Sequence, residues 1–129
     1  GNYSLKLLAR LPQLEVTLVD LSHPMLARAE QRLRDAGCRK VTTIQADVRE
    51  LELPAQCTDI IVAAAVLHHL RTEAEWRSVF GNFGSWMSPG GSCWIFDLLD
   101  TAPPALCNMF QRRYGEYLES LGGVECRDK

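Results

Sequence analysis

Asp20 closes the apolar run from Leu14 to Val19 and stands just ahead of a helix signal. Its carboxylate is therefore expected at the carboxyl end of a buried strand, the place where open α/β sheets meet their ligands. A carboxylate there can accept both hydroxyls of a ribose. It can equally begin the turn toward Ser22, a good helix cap. Asp47, in Gln45-Ala46-Asp47-Val48, holds the equivalent place after the next strand. An acidic acceptor at that point could bind an adenine amino group, or simply sit in a loop. Two such acids on one crevice are less accidental than either alone. His68-His69 follow a third apolar run. Histidine titrates near neutral pH, so a general base or a metal ligand is conceivable there. Against that, two adjacent histidines after a strand are expected to point in different directions, one satisfied against the sheet and the other near a pocket mouth. Asp97 ends the last strand either as a pocket-wall acid or as a turn residue.

The elements that must position these groups alternate along the chain. Tyr3 to Leu11, with Leu5, Leu8 and Ala9 on one side, suits a short helix that stops at Pro12. Leu14 to Val19 reads as a buried strand, and Ser22 caps a helix with Pro24 in its first turn. Leu26, Ala29, Leu33 and Ala36 recur at helical spacing until Gly37 closes the segment. Val41 to Gln45 is a short strand, and Thr58 to Ala64 is continuously apolar, of the kind buried on both faces in parallel sheets. Thr72-Glu73-Ala74-Glu75 matches the capping box, with Trp76, Val79, Phe80 and Phe83 as the apolar stripe beyond it. Pro89-Gly90-Gly91 marks a turn, Ser92 to Leu98 a strand, and Pro103 to Leu121 a final helix ending at Gly122-Gly123. Leu106, Phe110, Tyr114 and Tyr117 give that helix its apolar stripe, and Arg112-Arg113 its solvated face. Such alternation implies right-handed crossovers and a doubly wound α/β sheet.

Composition bounds the function. A chain of 129 residues, 47% hydrophobic, can bury one modest core, and no second domain is expected. A net charge of −2 with intermingled signs gives no reason for tight binding to nucleic acid or an anionic membrane, so nucleic acid is expected only as a substrate. Cys38, Cys57, Cys93, Cys107 and Cys126 are odd in number and form no CxxC pair. They read as buried free thiols in a reducing cytoplasm, with no metal site. No apolar stretch reaches the roughly 18 residues of a membrane span, and nothing at the start has the form of a secretory leader.

Taken in order, several pieces resemble the class I S-adenosylmethionine-dependent methyltransferases, of the small type 11/12-like kind. Gly1-Asn2-Tyr3-Ser4 is similar to the end of that family's glycine-rich loop, and Val16-Thr17-Leu18-Val19-Asp20 to its strand ending in the ribose-binding acid. Gln45-Ala46-Asp47-Val48 resembles the adenine-side motif, and the run from Asp59 through His68-His69-Leu70 the fourth-strand motif. Met87-Ser88-Pro89-Gly90-Gly91 resembles the turn before the fifth strand. The resemblance implies a Rossmann-like, mostly parallel sheet that binds S-adenosylmethionine through Gly1, Asp20, Leu21, Met25, Asp47, Val48 and Ala64. The Val48 amide would meet the adenine ring, and the carbonyl near Ala64 the amino group of the methionine end. It also implies that the family's first strand should precede Gly1 and its closing antiparallel strands follow Lys129. That first strand is central, so the strands present are expected to form two half-sheets with facing unpaired edges, within a longer protein.

The function expected from this resemblance is methyl transfer to an unspecified, small-molecule nucleophile in the cytoplasm, with a homodimer left open. His68 is the candidate catalytic residue, although an in-line displacement gains much of its rate from alignment and requires no acid-base group. The helix from Pro103 would cover the substrate. A nicotinamide-dependent oxidoreductase is the first rival, since its fingerprint also uses an acid about 20 residues past a glycine-rich turn. It does not call for Asp47 or for Leu67-His68-His69-Leu70. The others are a non-catalytic partner domain built on the same fold, and a relative that modifies the cofactor.

Overall fold

The computed structural model describes residues 1–97 and 104–122, the last helix with side chains to Tyr117. Among the described residues four strands and four helices follow in the order α1 (Asn2–Leu8), β1 (Glu15–Asp20), α2 (His23–Asp35), β2 (Lys40–Gln45), β3 (Thr58–Ala64), α3 (Glu73–Trp86), β4 (Met87–Phe96) and α4 (Pro104–Gly122), with no helix between β2 and β3. A short 3-10 turn, Leu67–His69, lies between β3 and α3. Residues 1–97 form one compact unit and α4 belongs to another. The expected strand end at Leu98, helix start at Pro103, closing Gly123 and Cys126 lie outside the described residues.

Local chemistry accounts for the helix ends. Ser22 Oγ accepts from the Met25 amide with Pro24 in the first turn, which starts α2. At the other end Cys38 N–H donates to Leu33 O and Gly37 N–H to Arg34 O, the paired bonds of a Schellman stop. Gly37 sits at φ +86, where a side chain would be strained. In α3 both halves of the capping box form, Thr72 Oγ1 accepting from Glu75 N–H and Glu75 Oε2 from Thr72 N–H.

The strands pair in two parallel couples, β1 with β2 and β3 with β4. Among the described residues no ladder joins the couples, so the strands form the two half-sheets that the family resemblance implied. Packing from one face of β2 joins them, while its other face serves the β1–β2 half alone. Val41 joins Leu8, Val16, Leu33 and Cys38 beneath α1 and α2. Ile44 instead meets a second cluster, in which Leu51, Ala63, Leu67, Leu70, Val79, Phe83 and Trp86 pack α3 against β3. Side chains of opposite parity on a strand face opposite sides, so helices cover both faces, as a doubly wound sheet requires.

Three expectations are corrected. β3 is apolar only from Ile60 to Ala64, after Thr58 and an exposed Asp59, and within it only Ala63 is buried, with Ile60, Ile61, Val62 and Ala64 half-buried. One of its edges pairs with β4 and the other with no described strand, so it lacks the enclosure of a central strand. Pro89-Gly90-Gly91 does not separate α3 from a strand beginning at Ser92; β4 starts at Met87 and takes these residues as an irregularity between the pairs Thr58↔Met87 and Ile60↔Ser92. A Cβ on Gly91 would lie 2.9 Å from the Asp59 carbonyl oxygen, which accounts for the glycine. Finally, among the described cysteines only Cys38 is buried. Cys57 and Cys93 are exposed and Cys107 is half-buried, because the first precedes β3 in a loop and the second lies on an uncovered stretch of β4.

Candidate functional site

The expected ligand residues gather at the carboxyl ends of the strands. The β1–β2 register ends at Asp20↔Gln45, and the Asp20 carbonyl accepts from Ala46 N–H at 3.2 Å. Gln45 Nε2 donates to the Leu21 carbonyl at 3.0 Å. These bonds bring the acid after β1 and the acid after β2 to the same end of the half-sheet. Asp20 Oδ1 accepts from Ser22 N–H at 2.8 Å, so its turn-forming role is real. That bond uses one oxygen. Oδ2 has no hydrogen-bond donor among the described residues, and the residue is exposed. Leu21 and Met25 beside it are 65% and 57% exposed, an apolar wall in contact with water. Gly1 N-caps α1, its carbonyl accepting from Leu5 N–H at 3.1 Å.

Asp47 is more committed. Arg49 donates from Nε and its backbone amide to Oδ1, and from its terminal nitrogen to Oδ2 at 2.6 Å. The same guanidinium reaches Glu75 Oε1 at 2.9 Å, linking the loop after β2 to the cap of α3. The Arg49 side-chain hydrogen bonds are the main reason that both carboxyls fall to a pKa of about 2, and the Arg71 and Thr72 amides add to the effect on Glu75. A carboxylate offers about four acceptor positions, so Asp47 keeps room for one more donor. Val48 is half-buried and packs against the α3 cluster, which fixes the backbone following Asp47. Nothing in the sequence beyond a weak Asp-x-Arg spacing pointed to Arg49.

Across the crevice end β3 and β4, in the register Ala64↔Phe96. Ala64 is half-buried, and Ala65 after it has φ +54, with its amide donating to the Phe96 carbonyl at 2.7 Å. A non-glycine residue in that region is strained, and here the strain lies beside the carbonyl proposed for ligand. Tyr3 of α1 stacks on Phe96, centroids 4.2 Å apart, so the start of α1 reaches the end of β4. Past Phe96, the Asp97 side chain, only 6% exposed, accepts from Leu67 N–H at 2.8 Å and His68 N–H at 3.1 Å, and contacts His68 Nδ1 at 2.8 Å. His68 and His69 do not diverge as expected. Their rings lie 4.1 Å apart and tilted by 45°, because they sit on a 3-10 turn, whose successive side chains are rotated less than on a strand. Among the described residues no three His, Cys, Asp or Glu side chains are grouped to hold a metal ion.

A family model described as a methyltransferase domain matches residues 1–91. An uncharacterized methyltransferase of Mycobacterium tuberculosis is 34% identical over 92 residues, 71% of this chain and 43% of that protein. A phosphatidylethanolamine N-methyltransferase of Cereibacter sphaeroides is 43% identical over 49 residues, 37% of this chain and 24% of that protein. A solved structure of a Pyrococcus horikoshii OT3 protein superposes with a TM-score of 0.59 at 23% identity, over 74% of this chain and 43% of that one. A SAM dependent methyltransferase from Aquifex aeolicus gives 0.51 at 20% identity, over 84% and 58%. These two speak for the shared Rossmann-like fold. The chain thus spans under half the length of the Mycobacterium relative that it matches. With the family model matching well over half of its residues, the chain belongs to the methyltransferase domain family.

Proposed function

We propose that the protein is an S-adenosylmethionine-dependent methyltransferase whose acceptor is a small-molecule nucleophile. The observation that carries the reading is Asp20, an exposed carboxylate at the end of β1 with Oδ2 open to a donor and with the apolar side chains of Leu21 and Met25 at its side. That combination suits a ribose next to a flat, weakly polar base. Asp47 and the Val48 backbone would hold the adenine side, Gly1 the approach of the loop, and the Ala64 carbonyl the amino group of the methionine end. When bound, the cofactor supplies a methyl group on a sulfonium sulfur. The protein's part is to align the acceptor and exclude water, and His68 is the side chain offered for the acceptor's proton. A cytoplasmic location belongs to the same reading, supported by Cys38, Cys57, Cys93 and Cys107 being free thiols. No helix among the described residues is long and apolar enough to cross a membrane.

Thermal unfolding of the full-length protein with S-adenosylhomocysteine, and separately with NAD, tests the reading. A ligand at a hundredfold its Kd stabilises a single site by about 2.7 kcal/mol, which moves the midpoint by several degrees. That shift is expected with S-adenosylhomocysteine and none with NAD. A shift with NAD alone would favour an oxidoreductase, and none with either a non-catalytic domain.

A further inference from the structure

We propose that Asp97 is a positioning residue that holds His68 as its Nδ1-protonated tautomer and so presents a bare Nε2 to the O–H or N–H of the methyl acceptor. The role of Nε2 toward an acceptor rests on the methyltransferase reading; the tautomer does not.

The geometry is specific. Asp97 comes one residue after β4 and His68 four residues after β3, and the parallel register Ala64↔Phe96 brings the two together. The Asp97 side chain is 6% exposed and takes both free amides at the start of the 3-10 turn, from Leu67 and His68. The turn cannot rotate while those bonds hold. Oδ1 of the same carboxylate lies 2.8 Å from His68 Nδ1. An ionised carboxylate only accepts, so Nδ1 must carry the hydrogen. In a neutral ring Nε2 is then an acceptor. The His68 side chain is 40% exposed although its Nδ1 edge faces a buried partner, so its exposure falls largely on the Nε2 side. That edge stands past the carboxyl ends of β3 and β4, where this fold class binds ligand. A hydroxyl or amine acceptor would donate its hydrogen bond to Nε2 and yield that proton to it. The imidazolium so formed faces the Asp97 carboxylate, with the His69 ring as its other titratable neighbour, and returns the proton to water. An acceptor lacking O–H or N–H gains nothing from this arrangement.

The tautomer can be read directly. Full-length protein labelled with 15N-histidine is examined in mildly alkaline buffer by long-range 15N–1H correlation, with His68 assigned through loss of its signals in His68→Gln. The expected spectrum has the proton on Nδ1 and a bare Nε2. In Asp97→Asn the amide oxygen can still accept from the turn while its NH2 faces Nδ1, so the proton should move to Nε2, as happens when an aspartate beside a histidine is made an amide. A wild-type ring protonated on Nε2, or an even mixture, overturns the proposal, and this outcome needs no variant to fold. A folded Asp97→Asn that keeps the Nδ1 proton overturns it as well, and would leave Asp97 as a cap of the turn. A fixed tautomer in a protein that binds no S-adenosylhomocysteine would retain the positioning and overturn the role toward a methyl acceptor.

Discussion

Arg49 ties together two carboxylates whose sequence positions are 28 residues apart, Asp47 beside the proposed cofactor and Glu75 in the helix cap. Both carboxyls have pKa values of about 2, well under their ordinary 3.8 and 4.5. A depressed folded-state value contributes stability that is present above the unfolded pKa and is lost as pH falls through the folded one. Arg49→Ala should therefore lower the melting midpoint at neutral pH, and the gap from wild type should close between roughly pH 4.5 and pH 2. The groups lie at the surface, so the gap is expected to be small and to shrink in salt. A gap constant across that window would mean that Arg49 acts through packing alone. The places of Asp20 and Asp47 at the ends of β1 and β2 were legible in the sequence, because an acid at a strand end is positioned by the strand. Arg49 was not, since its significance depends on Glu75, which only the packing of α3 brings near.

At the level of elements, the clearest sequence signals were those in which one short stretch satisfies its own backbone. The capping box of α3 and the glycine stop of α2 are of this kind, and both formed where the spacing put them. Thr72→Ala should cost about 1 kcal/mol in urea unfolding, the ordinary price of a lost cap. An unchanged midpoint would show that Arg49 and the Arg71 amide on Glu75 hold the helix start without it. The turn at Pro89-Gly90-Gly91 was misread because a bulge and a loop share the same residues, and only the partner strand decides between them. The conformation of Ala65 had no sequence signal, since alanine gives no warning of a positive φ. Ala65→Gly should raise stability by about 1 kcal/mol by removing that strain. A loss instead would show that the backbone there depends on the methyl group.

For the molecule as a whole, the fold class was readable from the alternation of helix and strand, and the split into two half-sheets from the family resemblance. What the alternation could not give was exposure. Trp94, Ile95 and Phe96 on β4 are 55%, 44% and 40% exposed, as expected of a strand with one pairing partner and few helices against it. Cofactor binding at the carboxyl ends of the strands turns above all on the Asp20 carboxylate. Isothermal titration of S-adenosylhomocysteine into full-length wild-type protein and Asp20→Ala tests it most directly. Loss of hydrogen bonds to a charged group is expected to weaken binding by about 1.5–3 kcal/mol, roughly 10- to 150-fold in Kd. Equal affinity in a folded Asp20→Ala would contradict the ribose assignment, and no heat of binding to the wild type would contradict the site itself.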